Sequence, residues 1–186
     1  DVPGDASLID LGEGVLAPGF IDVQVNGGGG VNLNDEPSLS SVLTMARAHR
    51  RFGTTGLLPT VITDAPAVLH AAADAVRQAR SHDASVLGIH IEGPFLDPAR
   101  KGAHEIGFIR SMKKEDVAWL SGLACGELLL TLAPNKVDDS TLEALAAAHI
   151  HICLGHAEAT HAEASAALAA GATGFTHLFN AMPPME

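Results

Sequence analysis

About six times along this chain a short apolar run gives way to an amphipathic, alanine-rich stretch, and that alternation constrains the fold most. Apolar runs with no polar face belong to strands buried on both sides, as in a parallel sheet covered by helices. The first run, GFIDVQVN, ends in Gln24 and Asn26 and meets the glycines Gly27 to Gly30. SLSSVLTMARAHRRFG then places Leu39, Val42, Leu43 and Ala46 at helical spacing, and Gly53 closes it. TTGLLPTVIT is a predicted strand, and DAPAVLHAAADAVRQAR a helix with Asp64 as N-cap and Pro66 in its first turn. SVLGIHIEGPF is the third strand; a longer loop, LDPARKGAHEIGFIRS, leads to a helix around Lys114 to Leu123. ELLLTLAPN is the fourth strand, and Ser140 and Glu143 have capping-box spacing at the head of STLEALAAAH. HICLGHAEA is the fifth. Thr160 and Glu163 repeat the box before AEASAALAAG, which stops at Gly171, and TGFTHLFNAMPP is the sixth strand.

Consecutive βα units of this kind predict a parallel α/β sheet. The regular alternation without a dinucleotide fingerprint favours a (β/α)8 barrel over a doubly wound sheet. A closed barrel takes eight units and typically about 250 residues. The chain is thus two units short, and SLIDLGEGVLAPGFID reads as the tail of an earlier element, so a fragment of a longer protein is expected.

The formal net charge of −11 argues against nucleic acid and anionic membrane surfaces as partners, although a local site can still hold a small anion. Cys125 and Cys153 lack metal-type spacing, which fits two buried thiols in a reducing compartment. No apolar run reaches the length of a membrane span, and DVPGDASLID lacks the regions of a signal peptide, so a cytoplasmic location is expected. Of the ten histidines, His49, His70, His82 and His149 fall in or beside helical patterns and read as solvent-side residues.

The remaining polar residues in the apolar runs are not scattered. Gln24, Asn26, Glu92, His156 and His177 all fall at C-terminal strand ends, which in a β/α barrel converge on one rim. Two imidazoles and a carboxylate from three strands suit a zinc-type divalent ion with a fourth position left for water. The ion would bring that water's pKa to roughly 7. One buried histidine alone is more commonly a hydrogen-bonded core residue; three ligand types at equivalent strand ends are harder to attribute to the core. His90, on the same strand face as Glu92, reads as a supporting or barrel-interior residue. In EGPFLDPARKGAH, Gly93 and Pro94 turn the chain, Gly102 permits close backbone approach, and His104 can reach the pocket. Asn180 and the backbone of Ala181, just past His177, would suit an anion such as phosphate, or form an ordinary turn. The glycine run matches neither G-x-G-x-x-G nor a P-loop.

The segments APGFIDVQVNG, GIHIEGPFLDPARKGAH, LAPN, LGHAEAT and THLFNAMPPM resemble N-acetylglucosamine-6-phosphate deacetylases of the amidohydrolase superfamily, in order and over nearly the whole chain. The resemblance implies a metal-dependent (β/α)8 barrel with a small β-sandwich domain built from both chain ends. Residues 1–16 would be the end of that small β domain and residues 17–186 a partial catalytic barrel. It implies hydrolysis of the acetamide of N-acetyl-D-glucosamine 6-phosphate to D-glucosamine 6-phosphate and acetate, in amino-sugar catabolism. It places metal ligands on Glu92, His156 and His177, sugar contacts on the Ala103 backbone and His104, and phosphate contacts on Asn180 and Ala181. Many amidohydrolases carry His-x-His where this chain has Gln24 and Asn26. An amide is the poorer ligand, so a single divalent ion, zinc or iron, is expected, with Gln24 and Asn26 near its water or supporting its ligands. The catalytic Asp, a further phosphate-contacting His and an Arg from the second subunit of a homodimer would lie beyond Glu186, so the chain alone is expected to be nearly inactive. Two other readings stay open: an amidohydrolase for a different N-acyl or cyclic amide, and a noncatalytic metal- or sugar-phosphate-binding barrel piece.

Overall fold

The computed structural model describes residues 3–7 and 9–184. Six strands form one sheet: β1 (Phe20–Val25), β4 (Thr54–Ile62), β5 (Gly88–Glu92), β6 (Glu127–Leu132), β7 (His151–Leu154) and β8 (Gly174–Phe175), hydrogen-bonded in that order. Every pairing is parallel. Among the described residues five α-helices connect or flank them: α1 (Leu39–Arg50), α2 (Pro66–Ala79), α3 (Lys114–Ser121), α4 (Asp139–Ala147) and α5 (His161–Ala169). Sequential order with a helix after most strands is the βα progression the sequence predicts. Among the described residues β1 and β8 each have one strand neighbour, so they are the sheet's edges.

Strand β5 shows why these runs are apolar throughout. All five residues are buried. Ile89 and Ile91 alternate with His90 and Glu92, so one pair faces the helical layer and the other the opposite side of the sheet. The core joins Leu57, Val61, Ile89, Ile91, Leu130, Leu132, Ile152 and Leu154 of the sheet to Val42, Met45, Leu69, Ala72, Val76, Leu142 and Leu145 of the helices. Each fully buried Leu or Ile contributes about 1.5–3 kcal/mol. Gly88 is required at the β5–β6 contact, where an added Cβ would lie 1.8 Å from the Glu127 carbonyl oxygen.

Local details depart from the sequence reading in several places. Helix α2 is capped by Ala65, not Asp64; the Asp64 carboxylate instead accepts the Ala65 N–H (2.7 Å) and the Asn34 side-chain amide (3.0 Å). Helix α4 starts from Asp138, whose side chain accepts the Thr141 N–H, so Ser140 and Glu143 form no capping box; Thr160 and Glu163 do. Only Gly174 and Phe175 of TGFTHLFNAMPP pair as strand, and Phe175, Leu178 and Phe179 are exposed. Cys125 is buried, but Cys153 is only partly so.

The glycine run is a hairpin rather than a loose loop. β2 (Gly27–Gly28) pairs antiparallel with β3 (Val31–Asn32) around Gly29 and Gly30, at φ +65° and +89°. It packs on α1, where a Cβ on Gly28 would come within 2.8 Å of the His49 ring. His49 Nε2 lies 3.0 Å from the Gly27 carbonyl oxygen, so this histidine is half-buried and holds the hairpin instead of facing solvent. Residues 9–19 are exposed and contain no helix or strand before β1. No helix among the described residues is long and apolar enough to cross a membrane.

Candidate metal centre

The sheet register explains how three residues distant in sequence reach one point. Glu92 pairs with Thr131, Thr131 with Cys153, and Cys153 with Gly174, so these positions share a level across four strands. His156 and His177 lie equally far beyond that level on neighbouring units. Both have left-handed backbones, at φ +49° and +34°, as do Phe179 (+74°) and Ala181 (+51°). Such conformations cost non-glycine residues about 1–3 kcal/mol each and persist where surrounding structure enforces them. At His156 and Ala181 hydrogen bonds to the carbonyl do so: Asp97 N–H to the His156 carbonyl (2.9 Å) and Ala157 N–H to the Ala181 carbonyl (3.2 Å).

Glu92 Oε1 lies 3.0 Å from His156 Nε2 and 3.2 Å from His177 Nε2, and the two nitrogens are 2.9 Å apart. A regular tetrahedron with metal bonds of about 2.0–2.1 Å has edges of about 3.3–3.4 Å. The triangle is therefore close to one face of that tetrahedron. His156 Nδ1 lies 2.9 Å from the Arg100 carbonyl, which can only accept, so Nδ1 carries the proton and Nε2 offers its lone pair to the triangle. One proton on His177 Nε2 could serve only one of the three contacts, whereas a cation serves all of them. The donor set of two imidazoles and a carboxylate thus fits a divalent ion, and these three residues form the candidate cluster.

The supporting contacts are specific. Gln24 Nε2 donates to Glu92 Oε2 at 2.9 Å, so the second carboxylate oxygen is held while Oε1 faces the histidines. Burial would raise the Glu92 carboxyl, but the imidazoles of His104 and His156, with His90, hold it well below the usual carboxylate range. His104 is buried; its Nδ1 accepts the Thr63 N–H (3.3 Å), so in the neutral ring Nε2–H is directed to the site, 3.8 Å from Glu92 Oε1. Burial lowers the His90 imidazole to about 4, against the charge of Glu92 and the bond to the Val23 carbonyl, so His90 is neutral at pH 7.

A cavity of about 250 Å³ opens beside the triangle, lined by Asn26, Asn32, Asn34, Ile62, Ala103 and His104 together with the three cluster residues. Of the residues singled out in the sequence, Gln24, Asn26, Ala103 and His104 therefore come to the triangle or its cavity. Asn180 and Ala181 do not line it. Asn180 is exposed, with its N–H spent on the His177 carbonyl at 2.9 Å. Asn32 and Asn34 escaped the sequence reading; the Gly29–Gly30 turn that returns VNLN to the rim was the available signal. Thr63 and the Arg100 carbonyl, which orient the two rings, carry no signal a single sequence could show.

The model of the amidohydrolase family matches residues 15–184. The chain belongs to the amidohydrolase family. It is 45% identical over 175 residues to the N-acetylgalactosamine-6-phosphate deacetylase of Shewanella sp. (strain ANA-3), covering 92% of this chain and 44% of that protein. It is 41% identical over 186 residues to the N-acetylglucosamine-6-phosphate deacetylase of Mus musculus, covering 95% of this chain and 45% of that one. The crystal structure of N-acetylglucosamine-6-phosphate deacetylase from Pasteurella multocida superposes with a TM-score of 0.94 at 35% identity, over 99% of this chain and 49% of that chain. The chain spans about half the length of the relatives it matches. The six parallel strands of this amidohydrolase are accordingly part of a (β/α)8 barrel, and membership of the family implies a divalent metal.

Proposed function

We propose that this amidohydrolase chain carries the metal- and sugar-binding part of a deacetylase acting on N-acetyl-D-glucosamine 6-phosphate, releasing acetate and D-glucosamine 6-phosphate. The observation that carries the reading is the meeting of Glu92 Oε1, His156 Nε2 and His177 Nε2 within 2.9–3.2 Å beside a cavity to which Asn26, Asn32, Asn34 and His104 contribute. Glu92, His156 and His177 would hold one divalent ion, zinc or iron, which when bound lowers the pKa of a water to roughly 7 and polarises the acetyl carbonyl. Gln24 keeps Glu92 from rotating away, and the Arg100 carbonyl keeps His156 in the tautomer that presents Nε2. His104 and the Ala103 backbone are the proposed sugar contacts. Asn26 and Asn32, which also line the cavity, supply further amides. Asn180 and Ala181 remain the proposed phosphate contacts, reached by a substrate extending out of the cavity past His177. The base that takes the water's proton and returns it to the leaving amine is the Asp expected beyond Glu186, so turnover by these 186 residues at the rate of a complete enzyme would refute that role. A homodimer, which rests on the sequence resemblance, completes the proposal, and a cytoplasmic location is proposed with it.

The test is hydrolysis of N-acetylglucosamine with and without the 6-phosphate, by the protein extended past Glu186. A strong preference for the phosphorylated sugar is expected; indifference to phosphate would favour an amidohydrolase for another N-acyl or cyclic amide. The higher identity to an N-acetylgalactosamine-6-phosphate deacetylase supports a second reading in which the galacto epimer is preferred. The same assay with both epimers decides between them.

A further inference from the structure

Beneath the cluster lies a chain of buried hydrogen bonds that the proposed reaction does not use. His90 Nδ1 is 3.0 Å from the Val23 carbonyl of β1, and its Nε2 is 2.7 Å from Thr131 Oγ1 of β6. Thr131 Oγ1 is in turn 2.6 Å from Thr176 Oγ1, just past β8. Thr60 Oγ1 of β4, which accepts the Val25 N–H (2.9 Å) and donates to the Leu58 carbonyl (3.1 Å), lies 3.4 Å from His90 Nδ1. His90, Thr60, Thr131 and Thr176 are all at most 5% exposed.

The directions of these bonds follow from donor chemistry. A carbonyl only accepts, so His90 Nδ1 carries the proton. In the neutral ring Nε2 then accepts from the Thr131 hydroxyl, and Thr131 must accept from Thr176. The proton order runs one way across the sheet interior, and three of its members, Val23, His90 and Thr176, stand just before residues of the site. Val23 precedes Gln24, His90 is two residues before Glu92, and Thr176 precedes His177. His156 is included through packing: a Cβ on the preceding Gly155 would lie 2.8 Å from Thr131 Cγ2 and 3.1 Å from Thr176 Cβ.

We propose that His90, through Thr131 and Thr176, is a positioning residue that fixes the spacing of Glu92, His156 and His177, without touching ion or substrate. Supporting hydrogen bonds around metal ligands typically change metal affinity by about 10–100-fold when removed. The inference rests on the reading of those three residues as metal ligands.

The test is zinc affinity, by competition with a chromophoric chelator, in Thr131→Val, Thr131→Ser and Glu92→Gln variants whose folding is checked by circular dichroism. Thr131→Val keeps the bulk but leaves His90 Nε2 without a donor, and zinc binding about 10–100-fold weaker is expected. Thr131→Ser restores the hydroxyl and should return the affinity to within a few-fold. A folded Thr131→Val protein with unchanged zinc affinity, while Glu92→Gln has lost it, overturns this inference alone. If Glu92→Gln binds zinc as the unmodified protein does, the ligand reading fails and this inference with it. Should Thr131→Val not fold, Thr176→Val breaks the outer link with the same expectation, and unchanged affinity there overturns the proposal. In the unmodified protein, 15N shifts of the His90 ring should report the Nδ1–H tautomer; the Nε2–H tautomer contradicts the bond order.

Discussion

Replacing Gln24 with leucine isolates a single hydrogen bond to the carboxylate on which the centre is built. Gln24 Nε2 is 2.9 Å from Glu92 Oε2, and Glu92 is 3% exposed. Leucine adds no bulk but leaves a buried charged oxygen without its donor. Hydrogen bonds to charged groups contribute about 1.5–3 kcal/mol. For a chain of this length each kcal/mol moves Tm by about 2–4 °C, so Gln24→Leu should melt about 3–12 °C lower. The assay is thermal denaturation at pH 7 in excess chelator, so that no ion compensates the carboxylate. The pH dependence has a definite sign. The folded-state pKa of Glu92 is depressed, so the stability its ionised form brings is fully present above the unfolded value of about 4.3 and is lost as pH falls through the lower folded value. The difference between variant and unmodified protein is therefore full at neutral pH and closes only in strong acid. Equal melting temperatures at pH 7 would refute the argument that Gln24 holds Glu92.

Gly88→Ala should destabilise the barrel by more than about 3 kcal/mol or abolish soluble expression, because its Cβ meets backbone rather than a movable side chain; a soluble variant with an unchanged denaturant midpoint would contradict the β5–β6 register. Acid should act through Asp97 and Asp116. Burial raises both carboxyls, but Asn135, Ala99 and Lys136 around the first, and Arg110 and Lys113 around the second, hold them below the ordinary value. Their contribution is present above the unfolded pKa of about 3.9 and is lost as pH falls through the folded values. Tm should therefore be level from pH 7 to about 5 and fall below about 4, and Asp97→Asn should flatten part of that fall. An identical acid limb in the variant would remove Asp97 from the explanation.

The sequence carried the order of elements because buried parallel strands leave an unbroken apolar run, and the convergence of Glu92, His156 and His177 because each closes such a run. What it hid was set by tertiary closure. TGFTHLFNAMPP is apolar enough for a long strand, yet pairing stops at Phe175, and the left-handed turns at His177, Phe179 and Ala181 follow instead. His49 looks solvent-facing from its own helix, since only the hairpin returning from β1 supplies its partner, the Gly27 carbonyl. Asp64 and Ser140 are good capping residue types, but Asn34 recruits the first, and Asp138 takes the cap two residues before the second. Local propensity cannot choose between adjacent cappers when neighbouring elements decide where the helix begins.

The most direct measurement is the metal content of purified protein, unmodified and as Glu92→Gln, after equilibration with zinc and removal of the excess. About one equivalent is expected in the unmodified protein, held by one carboxylate and two imidazoles. Glu92→Gln should lose most of it while keeping its circular dichroism spectrum. Unchanged metal content in that variant would contradict Glu92 as a ligand, and with it the deacetylase reading of the site.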